Sequence, residues 1–210
     1  MPRLIGSVTE PINRGKVLSS EDLDRLGGFS RYKDVDGDGV GYRTLPGNEN
    51  PQAAWFARGS GHNEKSQYSE RPDDYQNNLD RLRHKFENAR TLVPKPELVR
   101  NDGNDVGIIA YGTSHHALIE TLDQLQSERG INVDYLRLRA FPFTSEVQKF
   151  IDAHKRIYVV DQNRDGQMFQ LLKLDVPAEE VVRLRSVRHY NGLPLDARSV
   201  TDEIVSQEGK

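Results

Sequence analysis

Apolar and polar positions change their rhythm near Asp105. From Val106 to Tyr111 the chain is an unbroken apolar run closed by Gly112, which predicts a buried strand. Thr113 or Ser114 then caps a helix through about Glu128. Its Leu118, Leu122 and Leu125 recur at helical spacing, and Gly130 is its stop. Val133 to Leu138 alternates with period two. Thr144 or Ser145 opens another helix with Val147 and Ile151 facing in. Arg156 to Val160 is a second buried strand, and Gln167 to Leu174 a further helix. Arg185 to His189 is a candidate strand, and 197–207 a closing amphipathic helix. Alternation on this scale predicts an α/β fold: a mostly parallel sheet with helices on both faces.

The front of the chain predicts a loop-rich, helix-containing segment. Residues 1–18 read as an irregular arm broken by Pro11 and Gly15. Ser19 and Ser20 precede Glu21 and Asp22, an N-cap followed by acids in the first turn, and Gly27 and Gly28 end that helix after about two turns. Residues 34–74 carry glycines and prolines throughout and form a long irregular excursion, a kind of segment that is more often functional or interfacial. Asp73 or Asp74 then caps a helix to about Thr91. Leu79, Leu82, Phe86 and Leu92 share one stripe of it, and Arg81, Arg83, Lys85 and Arg90 take the other faces as solvated charge. Pro94 and Pro96 stop it and read as a linker.

Composition sharpens the contrast between the two halves. Val, Ile, Leu, Met and Phe number 21 in residues 1–104 and 34 in residues 105–210, and between 36 and 78 only Val40, Leu45 and Phe56 belong to that set. Ordering each residue costs about 1–2 kcal/mol, so a segment this thin in aliphatics leans on something else. No apolar run approaches the roughly 18 residues of a membrane span, and the N-terminus lacks a signal-peptide pattern. The net charge of −3 is spread without a basic patch, which argues against nucleic acid as a partner. The chain has no cysteine, which excludes a disulfide framework, a cysteine-held zinc or an iron–sulfur cluster carried on it, and fits a cytoplasmic setting.

Several residues could carry chemistry. Asp34, Asp36, Asp38 and Gly39 match the opening of an EF-hand loop. The twelfth position is Leu45 rather than a bidentate Glu, so Ca²⁺ ligation competes with an Asx-rich turn. Tyr111 to Ser114 joins a strand to a helix N-terminus, which is either an anion cradle or a tight βα turn. His115 and His116 are adjacent and project to different faces. His62 with Glu64, in a glycine-rich loop, could ligate metal, move protons or hold the loop by hydrogen bonds. Arg43 and Arg58, on loops with little core nearby, are carboxylate clamps or surface arginines. The Asp161–Asn163 cluster follows a strand's C-terminal end, where open α/β sheets place ligands, and reads equally as a capped turn.

In order along the chain, RYKDVDGDG (31–39), YRTLPG (42–47), RGSGHNE (58–64), LVPKP (92–96), YLRLR (135–139), YVVDQNRDGQ (158–167) and GLPL (192–195) resemble the alpha subunit of 2-oxoacid:ferredoxin oxidoreductases, especially the 2-oxoglutarate enzyme. The resemblance implies that residues 105–210 form a transketolase C-terminal-like domain and residues 1–100 the trailing part of a pyrimidine-binding domain. It implies oxidative decarboxylation of 2-oxoglutarate to the acyl-CoA. Thiamine diphosphate with Mg, an iron–sulfur cluster and coenzyme A would serve the assembled enzyme, mainly on partner chains. The implied partners are a beta subunit carrying thiamine diphosphate and the cluster, ferredoxin, and a separate N-terminal alpha part.

The family's thiamine-contacting motif and activating glutamate have no counterpart here, so no catalytic residue and no activity alone are expected of this chain. Its expected role is shaping the substrate pocket and the subunit interface. Arg43, Arg58 and His62 would line the substrate pocket, with Glu64, Asp161 and Asn163 at its edge or at an interface. The alternative is a non-catalytic α/β interaction module with a Ca²⁺-binding loop at Asp34, Asp36 and Asp38.

Overall fold

The computed structural model describes residues 13–57 and 59–209. It divides into two compact units, residues 1–88 and 89–210.

The second unit is an α/β fold around a five-stranded sheet of order β1-β3-β2-β4-β5. The strands are β1 (Glu97–Arg100), β2 (Val106–Tyr111), β3 (Asp134–Leu138), β4 (Arg156–Asp161) and β5 (Leu184–Arg188). β3, β2, β4 and β5 pair in parallel, and β1 lies antiparallel on β3 with a register break between Leu98 and Arg100. The pleat sends alternate residues to two cores. On one face Ile108, Tyr135, Tyr158 and Val160 pack with α3 (Ser114–Arg129) and α6 (Ala197–Glu208). On the other Ile109, Leu136, Ile157 and Val159 pack with α4 (Ser145–Asp152) and α5 (Gln167–Asp175). Gly107 in β2 leaves the space that Ile157 and Phe150 fill, since a Cβ there would stand 2.8–2.9 Å from both.

Two details bind this unit beyond its cores. Glu208, near the end of α6, accepts both Arg156 nitrogens at 2.6 and 2.8 Å and the Tyr158 hydroxyl at 2.7 Å. Asp134 is fully buried beside His154, with Nε2 at 3.2 Å. It also accepts the backbone N–H groups of Asp102, Gly103 and Asn104 and the Asn104 amide. Burial works to raise this carboxyl, but the bonds from Asp102, Asn104 and His154 hold it below the ordinary carboxylate range.

The first unit has little regular structure. α1 (Ser20–Leu26) begins at a capping box in which Ser19 and Asp22 serve each other, and ends at Gly27 in the left-handed region. A short 3-10 turn covers Pro51–Ala53, and α2 (Pro72–Leu92) follows. Buried apolar side chains among the described residues of this unit are Leu18, Leu23 and Ala53, with Phe29 and Tyr42 packed against them.

Four expectations change. The Pro94–Pro96 region leads into edge strand β1 rather than a linker. A 3-10 turn at Ala178–Arg183 precedes β5. Asp73 and Asp74 lie inside the first turn of α2, which opens one residue earlier with Pro72. On α2 the faces are exchanged: Leu79, Leu82, Phe86 and Leu92 are 38–79% exposed, while Arg81 and Asn88 donate to the carbonyls of Gly39 and Asp38, each at 3.0 Å. Gly39 is the cause. A Cβ there would fall 2.5–2.8 Å from backbone atoms of Lys85 and Arg81, so only glycine lets this loop reach the helix backbone.

Candidate functional site

The first unit sets His62 and Glu64 beside Tyr32. A tight hairpin, with Asn63 N bonded to Gln67 O and Ser69 N to Gly61 O, presents His62. The His62 ring stacks on Tyr32 with centroids 4.0 Å apart and planes 23° from parallel. Tyr32 N donates to Glu64 O at 2.9 Å, fixing the two segments side by side. His62 Nδ1 lies 3.0 Å from the Asn63 carbonyl and 3.4 Å from the Asn78 amide nitrogen.

Two guanidinium groups flank this stack. Arg31 stands 5.1 Å from the Tyr32 ring and 4.8 Å from Trp55, and Arg81 stands 5.7 Å from Tyr32. Arg31 donates to Tyr42 O, Arg43 to Arg14 O and Arg81 to Gly39 O, so each is bonded to a carbonyl and none to a carboxylate among the described residues. The Nε atoms of Arg31 and Arg81 are buried without a hydrogen-bond partner. Burial foremost, with the like charges of Arg81 and Arg43 and against an opposing pull from Tyr32, pushes the Arg31 guanidinium below its usual pKa. Positive charge is therefore concentrated and left without a counter-charge, which suits an oxyanion. Trp55 is set in place by its Nε1–H bond to Thr44 Oγ1 at 3.0 Å, and that hydroxyl donates to Ala53 O at 2.6 Å.

The aspartate loop already holds a cation. Lys16 Nζ sits 2.6 Å from Asp36, 2.7 Å from Asp38 and 3.2 Å from the Val40 carbonyl. The Lys16 hydrogen bond is the foremost cause holding both carboxyls below their ordinary pKa. Asp34 accepts the backbone N–H groups of Gly37, Asp38 and Gly39, an Asx-turn role. No cluster of three metal-ligating side chains is found among the described residues. Asp34 thus closes an Asx-type turn, and the Lys16 ammonium lies between the Asp36 and Asp38 carboxylates.

In the second unit Asp161 is fully buried and accepts from Met168 N, Phe169 N, the Asn163 amide and the Tyr111 hydroxyl at 3.0–3.2 Å. Asn163 in turn accepts Gln167 N at 3.0 Å. Both side chains are engaged in capping α5. At the βα turn, Thr113 makes no side-chain cap, and Gln162 donates to Ser114 Oγ at 2.9 Å. His115 lies against Tyr135, 5.9 Å between centroids; burial foremost, then the charge of Arg137, lowers its pKa.

Of the sequence candidates, His62 lies in this stack with the Glu64 side chain exposed nearby, while the exposed Arg43 bonds the Arg14 carbonyl and acts on Arg31 through its charge. Arg58 lies outside the described residues. Sequence reasoning missed Tyr32, Arg31, Trp55 and Arg81. The one available signal was the density of Arg and aromatic residues in a segment without aliphatics.

No protein-family model matches the chain, and no curated protein matches it in sequence. Among solved structures it is similar to a 2-oxoglutarate:ferredoxin oxidoreductase from Magnetococcus marinus, solved with 2-oxoglutarate, coenzyme A and succinyl-CoA bound. The TM-score is 0.74 at 22% identity, over 94% of this chain and 33% of that one. The chain therefore spans about a third of the length of that protein. A split-gene transketolase in an inactive β4 tetramer gives a TM-score of 0.45 at 17% identity, over 53% of this chain and 41% of its own. The alpha chain of a probable 2-oxoacid ferredoxin oxidoreductase from Thermoplasma acidophilum gives 0.36 at 21%, over 55% and 98%. At these identities the first likeness is one of fold, and the other two carry no further weight.

Proposed function

We propose that this chain is part of a thiamine-diphosphate-dependent 2-oxoacid:ferredoxin oxidoreductase of the 2-oxoglutarate type, and that it supplies substrate-binding residues rather than the reactive cofactors. The observation that carries the reading is the pair of guanidinium groups, Arg31 and Arg81, without carboxylate partners beside the Tyr32–His62 stack, with the charge of Arg43 acting on Arg31. The ordered motifs and the fold shared with the Magnetococcus enzyme support it.

Residues 1–88 would then be the trailing part of a pyrimidine-binding domain and the second unit a transketolase C-terminal-like domain. With no cysteine, this chain does not fit an iron–sulfur cluster. The cluster and thiamine diphosphate with Mg are assigned to a beta subunit, with ferredoxin as the electron acceptor and coenzyme A as the acyl acceptor. Thiamine diphosphate supplies the decarboxylation chemistry there.

What this chain contributes is charge and orientation. Arg43, exposed at the rim, pairs with a substrate carboxylate in a two-point fork. Arg31 and Arg81 add positive potential, so that a dicarboxylic 2-oxoacid is favoured over a monocarboxylic one. His62 stands beside these charges with its ring plane fixed by Tyr32. Arg58 belongs to the same motif by sequence.

In the assembled enzyme, Arg43→Ala raises KM for 2-oxoglutarate about tenfold, on the order of 1.4 kcal/mol for a lost charged hydrogen bond. Steady-state kinetics on the reconstituted complex checks this, and an unchanged KM overturns the assignment. Co-purification provides the companion test: the chain should bring down a cysteine-bearing partner containing thiamine diphosphate. The Ca²⁺-module alternative gains no support from a loop that already holds Lys16.

A further inference from the structure

The small core of the first unit opens on one side. Leu18, Leu23 and Ala53, with Phe29 and Tyr42 against them, adjoin a cavity of about 760 Å³. Its walls include Leu26 and Val35, apolar side chains left 57% and 63% exposed. A volume in this range suits a small molecule, since such sites run to about 300–1,000 Å³. Exposing two large aliphatics beside a core this small forgoes burial that the unit has little of elsewhere.

The charge around the opening has one sign left over. Arg25 is on the wall, but Asp22 holds it at 2.7 Å. Lys33 and Lys65 have no carboxylate partner among the described residues. They come from segments that the Tyr32 N–H to Glu64 O bond, 2.9 Å long, fixes side by side, so the two ammonium groups belong to one rim. An apolar floor under a rim of two unpaired lysines is the complement of a molecule with an apolar body and an acidic end.

We propose that this groove binds an amphiphilic carboxylate: a hydrocarbon body lying on Leu26, Phe29 and Val35, and a carboxylate held by Lys33 and Lys65. The site goes beyond the function proposed above and uses none of its residues. No covalent step is involved.

The test is calorimetric titration of the full chain with dodecanoate, kept below its micelle threshold. One molecule should bind per chain. Butanoate, which lacks the body, and dodecylamine, which inverts the charge, should each bind at least tenfold more weakly. Lys33→Gln with Lys65→Gln should weaken dodecanoate about tenfold or more, and Leu26→Glu should abolish it. All three positions are exposed, and circular dichroism confirms that the variants keep the parent fold. Absence of dodecanoate binding, equal binding of dodecylamine, or binding indifferent to the lysine pair overturns the proposal. So does selective binding of an acidic amphipathic peptide where dodecanoate fails, which would make the groove a protein-docking surface.

Discussion

The two units of this chain stay folded by opposite means. The second lays 15 buried apolar residues on one face of its sheet and 12 on the other, among the described residues. Each such side chain is worth about 1.5–3 kcal/mol when removed from water. The first unit buries three, and holds itself with an aspartate loop around Lys16, glycine-permitted backbone contacts and a stack of arginines on aromatic rings. Burial is indifferent to direction and tolerates repacking. A network of charges and rings works only at fixed distances, which costs robustness and places concentrated charge where a ligand can use it.

The largest way to test that contrast is a polar substitution in the apolar unit. Asp134→Ala removes one partner of the buried pair with His154 and strands three backbone donors, so it should cost about 3–5 kcal/mol in denaturant titration. The same carboxylate predicts an acid limit. Its pKa is depressed in the fold, so its stabilisation is complete above the ordinary carboxyl value near 4. It is lost as pH falls through the native value, and the acid transition of the second unit should flatten in Asp134→Ala. If neither change is seen, a purely apolar account of this unit suffices and the Asp134 network contributes nothing to it.

Next comes Gly39→Ala. The new Cβ meets backbone atoms of Lys85 and Arg81, and the residue sits at φ +78°. Strain plus overpacking should amount to about 2–4 kcal/mol. Hydrogen exchange should rise across residues 34–41 while the β2 and β4 amides keep their protection. A uniform loss across both units would mean that they are not separately cooperative.

Smaller still is the response to salt. Exposed ion pairs such as Lys16 with Asp36 are screened at high ionic strength and buried aliphatics are not. Tryptophan fluorescence from Trp55, the single tryptophan, should report first-unit unfolding at lower denaturant in about 1 M NaCl than in dilute buffer. Equal shifts in the two units would erase the distinction.

These differences also explain what could be read from the sequence. β2 and β4 are apolar runs between glycine and polar boundaries, so their period and length identified them. β1 is four residues long, follows two prolines and pairs on one side only, and nothing in a local window marks such an edge. α2 showed its stripe but not which face packs, because that depends on a glycine more than 40 positions away. The Tyr32 cluster joins residues 31, 32, 55, 62 and 81, and stacking of rings and guanidiniums leaves no periodic trace. Asp161 was visible as a residue past a strand end. Its bonds to the α5 backbone N–H groups come from residues seven and eight positions on, which no local window shows.

Lys16 in the aspartate loop has one more consequence. A loop that wraps a metal ion works as a gauge, ordered or loose according to how much of the ion surrounds it. This loop carries its cation covalently attached, at a concentration that never varies. Chelators should leave the loop's hydrogen exchange unmoved, and a response to them would mean that a metal ion displaces Lys16.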